Sequence, residues 1–415
     1  MSRAGNAGNG SVGKKVLYVF TSLLGVVVIL MSVVYGGINH YYSKMTIVDV
    51  EKEGYGEYVP DQDYQDGEVS DSDENTDIDP KDLPYGATEL QYDFSDPDIT
   101  NIILLGTDSR VRGLWRTASD AMIIVSINKK TQKLFFSSFM RDTLVYIRKG
   151  GNHREAGNDK LNAAYAYGNS KMLFETYEDN FGIKLDKFVQ FDFYSFVTLV
   201  DSIGGVDMYV RKNEIKYMND VYLFELNKPA LYNRPFGTDY LPLKTGTFHL
   251  NGKQALAYTR VRYVGGDYER TERQRKVIEE IMKKVKTMSA TKLSKFAERA
   301  LKCVTTNLTQ TEVMSLLMDA PEILKYELVS TRIPIEKTYH ADKLKGQYVL
   351  VIDLKKNADY WYSLVYLDKD ISEDIAKKIE EEKAEEEAKK AAEEEAKKAA
   401  EAEAAASADT ASTSG

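Results

Sequence analysis

The chain has 415 residues, 43% of them hydrophobic, with one cysteine and a formal net charge of −9. That is enough apolar material for a large core, while a lone Cys303 excludes an intramolecular disulfide and so a disulfide-stapled small scaffold. Residues 1–100 carry 6 Lys and Arg against 18 Asp and Glu, residues 101–368 carry 41 against 31, and residues 369–415 carry 8 against 15; a basic body between acidic flanks expects an anionic partner.

No residue from Val16 to Ser43 is charged, and Val16 to Gly37 is long enough for one bilayer-spanning helix. Arg3, Lys14 and Lys15 precede it, and acidic residues dominate the stretch after it. The positive-inside rule therefore predicts a short cytoplasmic tail (1–15), a transmembrane helix (16–37) and everything later outside the cell. No small-residue cleavage box comes after the apolar run, so an uncleaved anchor is expected rather than a signal peptide. Residues 38–82 read as an acidic stalk, and 83–368 as the folded domain. Outside a membrane the anionic partner is a phosphorylated glycan or lipid rather than a nucleic acid.

Asn101 to Gly106, Ala121 to Asn128 and Lys133 to Met140 are short β-branched or aromatic runs bounded by turn residues, the pattern of buried strands. Lys160 to Gly182 has helical spacing with a break near Gly168. Next in order are a strand at Phe188 to Phe193, a helix at Tyr194 to Ile203 and a strand at Val206 to Val210. Interleaved strands and helices predict a layered α/β/α domain around a central mixed sheet. Arg211 to Gly246 is irregular and reads as a surface excursion. Helices are predicted at Lys292 to Val304 and at Thr309 to Ile323, the second with a Thr309/Glu312 capping box. Strands at Tyr326 to Ile333 and Val349 to Leu354, then a helix to Leu367, close the domain. The tail 369–415 repeats EEEAKKAA, whose Glu-to-Lys pairs four apart favour a solvent-exposed helix without an apolar stripe.

Two constellations carry chemistry. Ala255 to Ile281 places Arg260, Arg262, Arg270, Arg273 and Arg275 within sixteen positions. Ala255 to Tyr263 alternates and reads as a strand with Arg260 and Arg262 on one face. After Gly265-Gly266 comes a helix, on which Arg270, Arg273 and Gln274 share a face. Guanidinium groups gathered at one place match phosphate through paired hydrogen bonds; the plainer alternative is a solvated helix face neutralised by Asp267, Glu269 and Glu272. The second constellation is acidic. Asp108 sits at the exit of one strand and Asp120 at the entrance of the next, where two carboxylates can share a Mg²⁺ or Mn²⁺ ion with substrate phosphates; taken singly, each fits a turn or a cap. Arg141 and Asp142 end the strand after that.

In order along the chain, LLGTDSR, SDAMIIVSIN, SFMRDTLV, KLNAAYAYG, LVDSIGGVDMYV, LNGKQALAYTRVR and DYERTERQRKV resemble the LytR-CpsA-Psr proteins of Gram-positive cell envelopes, over about Asn101 to Tyr366. The resemblance implies an extracellular enzyme that moves a glycopolymer from undecaprenyl pyrophosphate to peptidoglycan as a phosphodiester, with Mg²⁺ (or Mn²⁺). It implies that Asp108 and Asp120 are metal-associated acids, that Arg141, Arg260, Arg262, Arg270 and Gln274 bind pyrophosphate, and that Lys160 and Asp267 lie near the head group. The general base would be Asp108 or Asp267. Family members often carry Arg before the Ser-Asp pair; here Ala118 stands there, and Arg116 is the nearest substitute. The implied partners are a polyprenyl-pyrophosphate-linked glycan, peptidoglycan and the membrane, with no nucleic acid. Two other readings stand beside it: a pyrophosphatase, which uses the same residues, and a non-catalytic lipid-glycan-binding protein or transcriptional attenuator acting indirectly, which would need the arginines but not the acids.

Overall fold

The computed structural model describes residues 37, 39–52, 92–107, 119–151, 155–226, 239–344 and 346–412. Asp108, Arg116, Ala118 and, apart from Gly37, the expected transmembrane stretch lie outside these. No helix among the described residues is long and apolar enough to cross a membrane.

In chain order the strands are β1 (Thr46–Ile47), β2 (Ile99–Thr107), β3 (Ser119–Asn128), β4 (Lys133–Phe139), β5 (Leu144–Ile147), β6 (Gly157–Lys160), β7 (Phe188–Asp192), β8 (Val206–Val210), β9 (Gly246–Leu250), β10 (Thr305–Thr306), β11 (Glu327–Ile333), β12 (Tyr339–Leu344) and β13 (Gln347–Ile352). The helices are α1 (Leu161–Phe181), α2 (Phe193–Ser202), α3 (Lys212–Tyr217), α4 (Gly252–Arg260), α5 (Gly266–Lys286), α6 (Ala290–Leu301), α7 (Gln310–Ile323), α8 (Leu354–Tyr366) and α9 (Ser372–Ser412). The chain forms two compact units: Met1–Glu53, Leu104–Trp115 and Lys187–Tyr326 make the first, and Gly54–Ile103, Arg116–Asp186 and Glu327–Gly415 the second.

In the second unit β4 pairs antiparallel with β3 and parallel with β11, so the expected α/β class with a mixed sheet is what the chain adopts. Ile124 and Phe135 are fully buried, as runs covered on both faces should be. Phe139 meets the edges of Tyr177 and Phe181 from α1. Asn128 Nδ2 donates to Val365 O, and Thr331 Oγ1 pairs with the Tyr360 hydroxyl, which binds α8 to the same strands. The break expected near Gly168 is real: Gly168 and Asn169 leave helical geometry inside α1. A Cβ on Gly168 would lie 2.6 Å from Met172 Cβ, so only glycine fits there. Helix α9 buries Ile375 and Ile379, pairs Glu380 with Lys337 and Glu382 with Lys356, and then runs exposed through the Glu/Lys/Ala stretch 384–394.

In the first unit β10 pairs parallel with β1 and antiparallel with β7, and β8 and β9 form a hairpin. One core joins α2, β8, α3, α4 and α5 through Val197, Val206, Ile215, Leu223, Ala257, Val261 and Val277. Two expectations fail here. Residues 211–226 are not an irregular excursion but helical, with a π-turn at Met218–Leu223, and Ile215, Met218 and Leu223 are fully buried. Ala255 to Tyr263 is not a strand. Asn251 and Gln254 close a reciprocal capping box that starts α4, and Gly252 to Thr259 are all buried. A helix buried on every side has no apolar stripe, and its alternating small residues imitate a strand.

Candidate active site

The site residues predicted from sequence that the structure describes fall into two clusters, each internal to one unit. In the second unit, β4 ends in a turn fixed by its backbone: Met140 N donates to Ile333 O, Thr143 N to Met140 O and Leu350 N to Asp142 O. The first turn of α1 docks on it, Leu161 N donating to Thr143 O and Asn162 N to Arg141 O. Arg141 is thereby buried, and its NH1 donates to Asp120 Oδ1 at 2.5 Å. Its Nε is 3.7 Å from Asp142 Oδ2, whose other oxygen is 3.3 Å from Lys160 Nζ. Lys160 ends β6 and precedes α1. Burial pushes its ammonium pKa down, Asp142 pulls it back up, and Arg141 lowers it further. Two cations and two carboxylates alternate, so the cluster is near neutrality in itself. Asp142 belongs to it as closely as Asp120 does, although sequence reasoning gives it no role. Its signal in the sequence is adjacency to Arg141 at a strand end.

In the first unit Arg260 ends α4 and Arg262 sits in the loop that leads to α5. They share no strand face, yet they converge. The Arg260 guanidinium lies 4.7 Å from the Phe193 ring centre and 5.0 Å from that of Tyr222, and 3.3 Å from Glu225 Oε2, a cation seated on two aromatic faces. Burial pushes the Tyr222 phenol up, while Arg262, Arg260 and Arg270 pull it back and Tyr263 adds to the rise. The charges of all three arginines therefore act on the Tyr222 hydroxyl, with Arg260 lying directly over its ring. Arg270 is buried and lies 2.6 Å from Asp267, one helical turn earlier; Asp267 therefore orients a cation. Gln274, one turn after Arg270, is half-buried.

Arg273 departs from expectation. It does not join Arg270 and Gln274 as part of an anion-gripping face. Its side chain and that of Glu214 are each 3% exposed and lie 3.0 Å apart, with Glu269 at 3.2 Å. Its NH2 donates to Val261 O at 2.5 Å and to Val264 O at 3.0 Å. Arg211 also pairs with Glu214 and Glu269. This four-charge network, buried at Glu214 and Arg273 and open to solvent at Arg211 and Glu269, holds the loop that carries Arg262.

Among the described residues no group of three or more His, Cys, Asp or Glu is arranged to hold a metal; Asp108 is not among them. Asp120 supplies a hard oxygen donor of the kind Mg²⁺ takes, shared here with the Arg141 guanidinium.

The model of the LytR_cpsA_psr family matches residues 64–365. This chain belongs to the LytR_cpsA_psr family. Biofilm regulatory protein A of Streptococcus mutans serotype c is 34% identical over 269 residues, 63% of this chain and 60% of that protein. Polyisoprenyl-teichoic acid–peptidoglycan teichoic acid transferase TagU of Bacillus cereus is 30% identical over 234 residues, 56% of this chain and 67% of that protein. The match thus spans about two thirds or less of these two LytR_cpsA_psr relatives. Among solved structures, protein gbs0355 from Streptococcus agalactiae aligns at 28% identity and a TM-score of 0.49, covering 64% of this chain and 89% of that one.

Proposed function

We propose that this protein is a membrane-anchored phosphotransferase that attaches a glycopolymer, such as a teichoic acid or capsule-type polysaccharide, from a polyprenyl pyrophosphate carrier to peptidoglycan. The observation that carries this reading is Arg260 seated over the Tyr222 ring at 5.0 Å, with the charges of Arg262 and Arg270 also acting on that tyrosine: guanidinium groups of the kind that match a pyrophosphate. The relative TagU bears the name of such a transferase, which supports the same class. The apolar stretch Val16 to Gly37 supplies the anchor, with the catalytic domain outside the cell.

In this reading a sugar hydroxyl of peptidoglycan attacks the phosphorus that carries the glycan. The P–O bond to the prenyl phosphate breaks, prenyl phosphate leaves, and a phosphodiester forms. The hydroxyl proton passes to Asp108 or Asp267. Arg260, Arg262, Arg270 and Gln274 bind the pyrophosphate and neutralise charge on the leaving group, with Arg116 as a further candidate; Arg141 and Lys160 do the same beside Asp120. Mg²⁺, held by Asp108 and Asp120, would polarise phosphoryl oxygens when bound.

The test is transfer by the full-length protein in detergent, from a polyprenyl-pyrophosphate oligosaccharide to peptidoglycan fragments, with Mg²⁺ or with EDTA. Metal-dependent transfer that is lost in both Asp120→Ala and Arg262→Ala supports the proposal. Donor binding without turnover, unaffected by Asp120→Ala, replaces it with a lipid-glycan-binding role. Release of prenyl phosphate without acceptor modification replaces it with a pyrophosphatase.

A further inference from the structure

The loop between α4 and α5 shows two side chains outward and buries two. Val261 is fully buried and Val264 nearly so, Arg262 is half-buried, and Tyr263 is 49% exposed. A large aromatic ring at this exposure, next in sequence to a candidate phosphate ligand, needs an explanation, and three features of its surroundings supply one.

The Tyr263 backbone is fixed on both sides, because the buried Arg273 guanidinium takes the carbonyls of Val261 and Val264. Its ring is fixed too. It stacks on Tyr217 with centroids 4.9 Å apart and planes 16° from parallel, and Tyr217 in turn packs against the hydrophobic core. Finally, Tyr263 follows Arg262 directly in the chain, and both act electrostatically on Tyr222, over whose ring Arg260 lies. One face of the ring is thus covered and supported, and the ring stands beside a cationic cluster. A ring held in this way loses little freedom when a ligand lies on it, so most of the contact energy is kept as affinity.

We propose that Tyr263, backed by Tyr217, is a stacking platform for a sugar ring of the glycan, the one nearest the pyrophosphate. A pyranose presents an apolar C–H face to the electron-rich face of an aromatic ring and directs its hydroxyls outward to water and polar groups. A prenyl chain is the less suitable occupant, since it is apolar all round and calls for an enclosed cleft rather than a half-exposed phenol. The inference rests on the reading of Arg262 as a pyrophosphate ligand: in a sugar pyrophosphate the first ring is one bond from the phosphate, and in this chain Tyr263 is one residue from the cation.

The full-length protein in detergent would be titrated with two lipids, a sugar-free polyprenyl pyrophosphate and the same lipid carrying an oligosaccharide, for wild type, Tyr263→Ala and Tyr263→Phe. Tyr263→Ala is expected to weaken the glycan-bearing lipid about tenfold, the upper range of an aromatic stacking contact, and to leave the sugar-free lipid unchanged. Tyr263→Phe keeps the platform and should bind both lipids as wild type does. Equal loss for both lipids, or no loss for either, overturns the platform while leaving the pyrophosphate site standing. Wild-type protein that binds neither lipid overturns the proposed function and the platform together. A thermal unfolding curve for Tyr263→Ala that matches wild type excludes a folding defect as the source of any loss.

Discussion

The two charged clusters hold their arginines in opposite ways. Around Arg262 in the first unit, holding and gripping fall to different residues, although Arg270, buried and paired with Asp267, combines the two. Arg211, Glu214, Glu269 and Arg273 form the network, with Glu214 and Arg273 buried at its centre, that fixes the loop, and Arg262 rides on that loop half-exposed. In the second unit one residue combines both tasks. Arg141 is 2% exposed and bonded to Asp120, and it is also the candidate phosphate ligand. Substitution of Arg262 can therefore separate stability from binding, whereas substitution of Arg141 cannot.

The largest effects test that contrast directly. Arg273→Ala and Arg141→Ala each leave a carboxylate without its buried partner, which costs about 3–5 kcal/mol. Arg262→Ala, on a half-exposed loop position, should cost no more than about 0.5 kcal/mol yet remove donor binding. Denaturant unfolding and lipid titration on all three variants check this. A large loss of stability in Arg262→Ala would erase the distinction between the two clusters. Substituting Glu214 and Arg273 together by apolar residues should cost less than the sum of the single changes, because neither charge is then stranded.

A middle-sized effect comes from acid. Burial raises the Glu214 carboxyl pKa, but the Arg211 side chain and backbone N–H and the Arg273 charge outweigh it and hold it below the ordinary 4.5. Because the folded pKa is the lower one, the stabilisation is present above pH 4.5 and is lost as pH falls through the folded value. Unfolding free energy measured from neutral pH downward should therefore decline below that point, and Glu214→Gln should flatten the decline. An unchanged profile in Glu214→Gln would assign the acid sensitivity elsewhere.

The smallest effect belongs to the tail. Removing 384–415 spares Ile375, Ile379 and both ion pairs to Lys337 and Lys356, and surface Glu–Lys pairs such as Glu386–Lys390 contribute little. The melting temperature should stay within about 1 °C of the full chain. Cutting instead at Asp370 removes the two isoleucines and uncovers the apolar surface they pack on, and should lower it by several degrees, at about 1.5–3 kcal/mol per buried apolar side chain lost.

The fold is legible in the sequence where burial leaves a simple period. The runs that form β2, β3, β4 and β11 are apolar and bounded by turns, and α1 announces even its break at Gly168. The Thr309/Glu312 box marks the start of α7. Legibility fails where burial is complete or pairing is short. Helix α4 has no outward face to give a stripe, although Asn251 and Gln254, three apart, are the available sign of its start. The β5–β6 hairpin hides because GNDK, its second strand, is polar. For the site, residue type and spacing indicate which arginines cluster, but not which of them face inward. Arg270 and Arg273 lie three apart on one helix, and their different tasks depend on Glu214, which is distant in sequence and lies in a segment whose composition reads as surface loop.

The hydrogen bonds from Arg273 to the Val261 and Val264 carbonyls bear on how such a protein can diversify. They grip main chain and are indifferent to the side chains between them. Position 263 can change from aromatic to polar or small without disturbing where Arg262 is held. If the proposed platform holds, a lineage could then exchange one glycan for another by altering a single exposed side chain while Arg262 stayed in place.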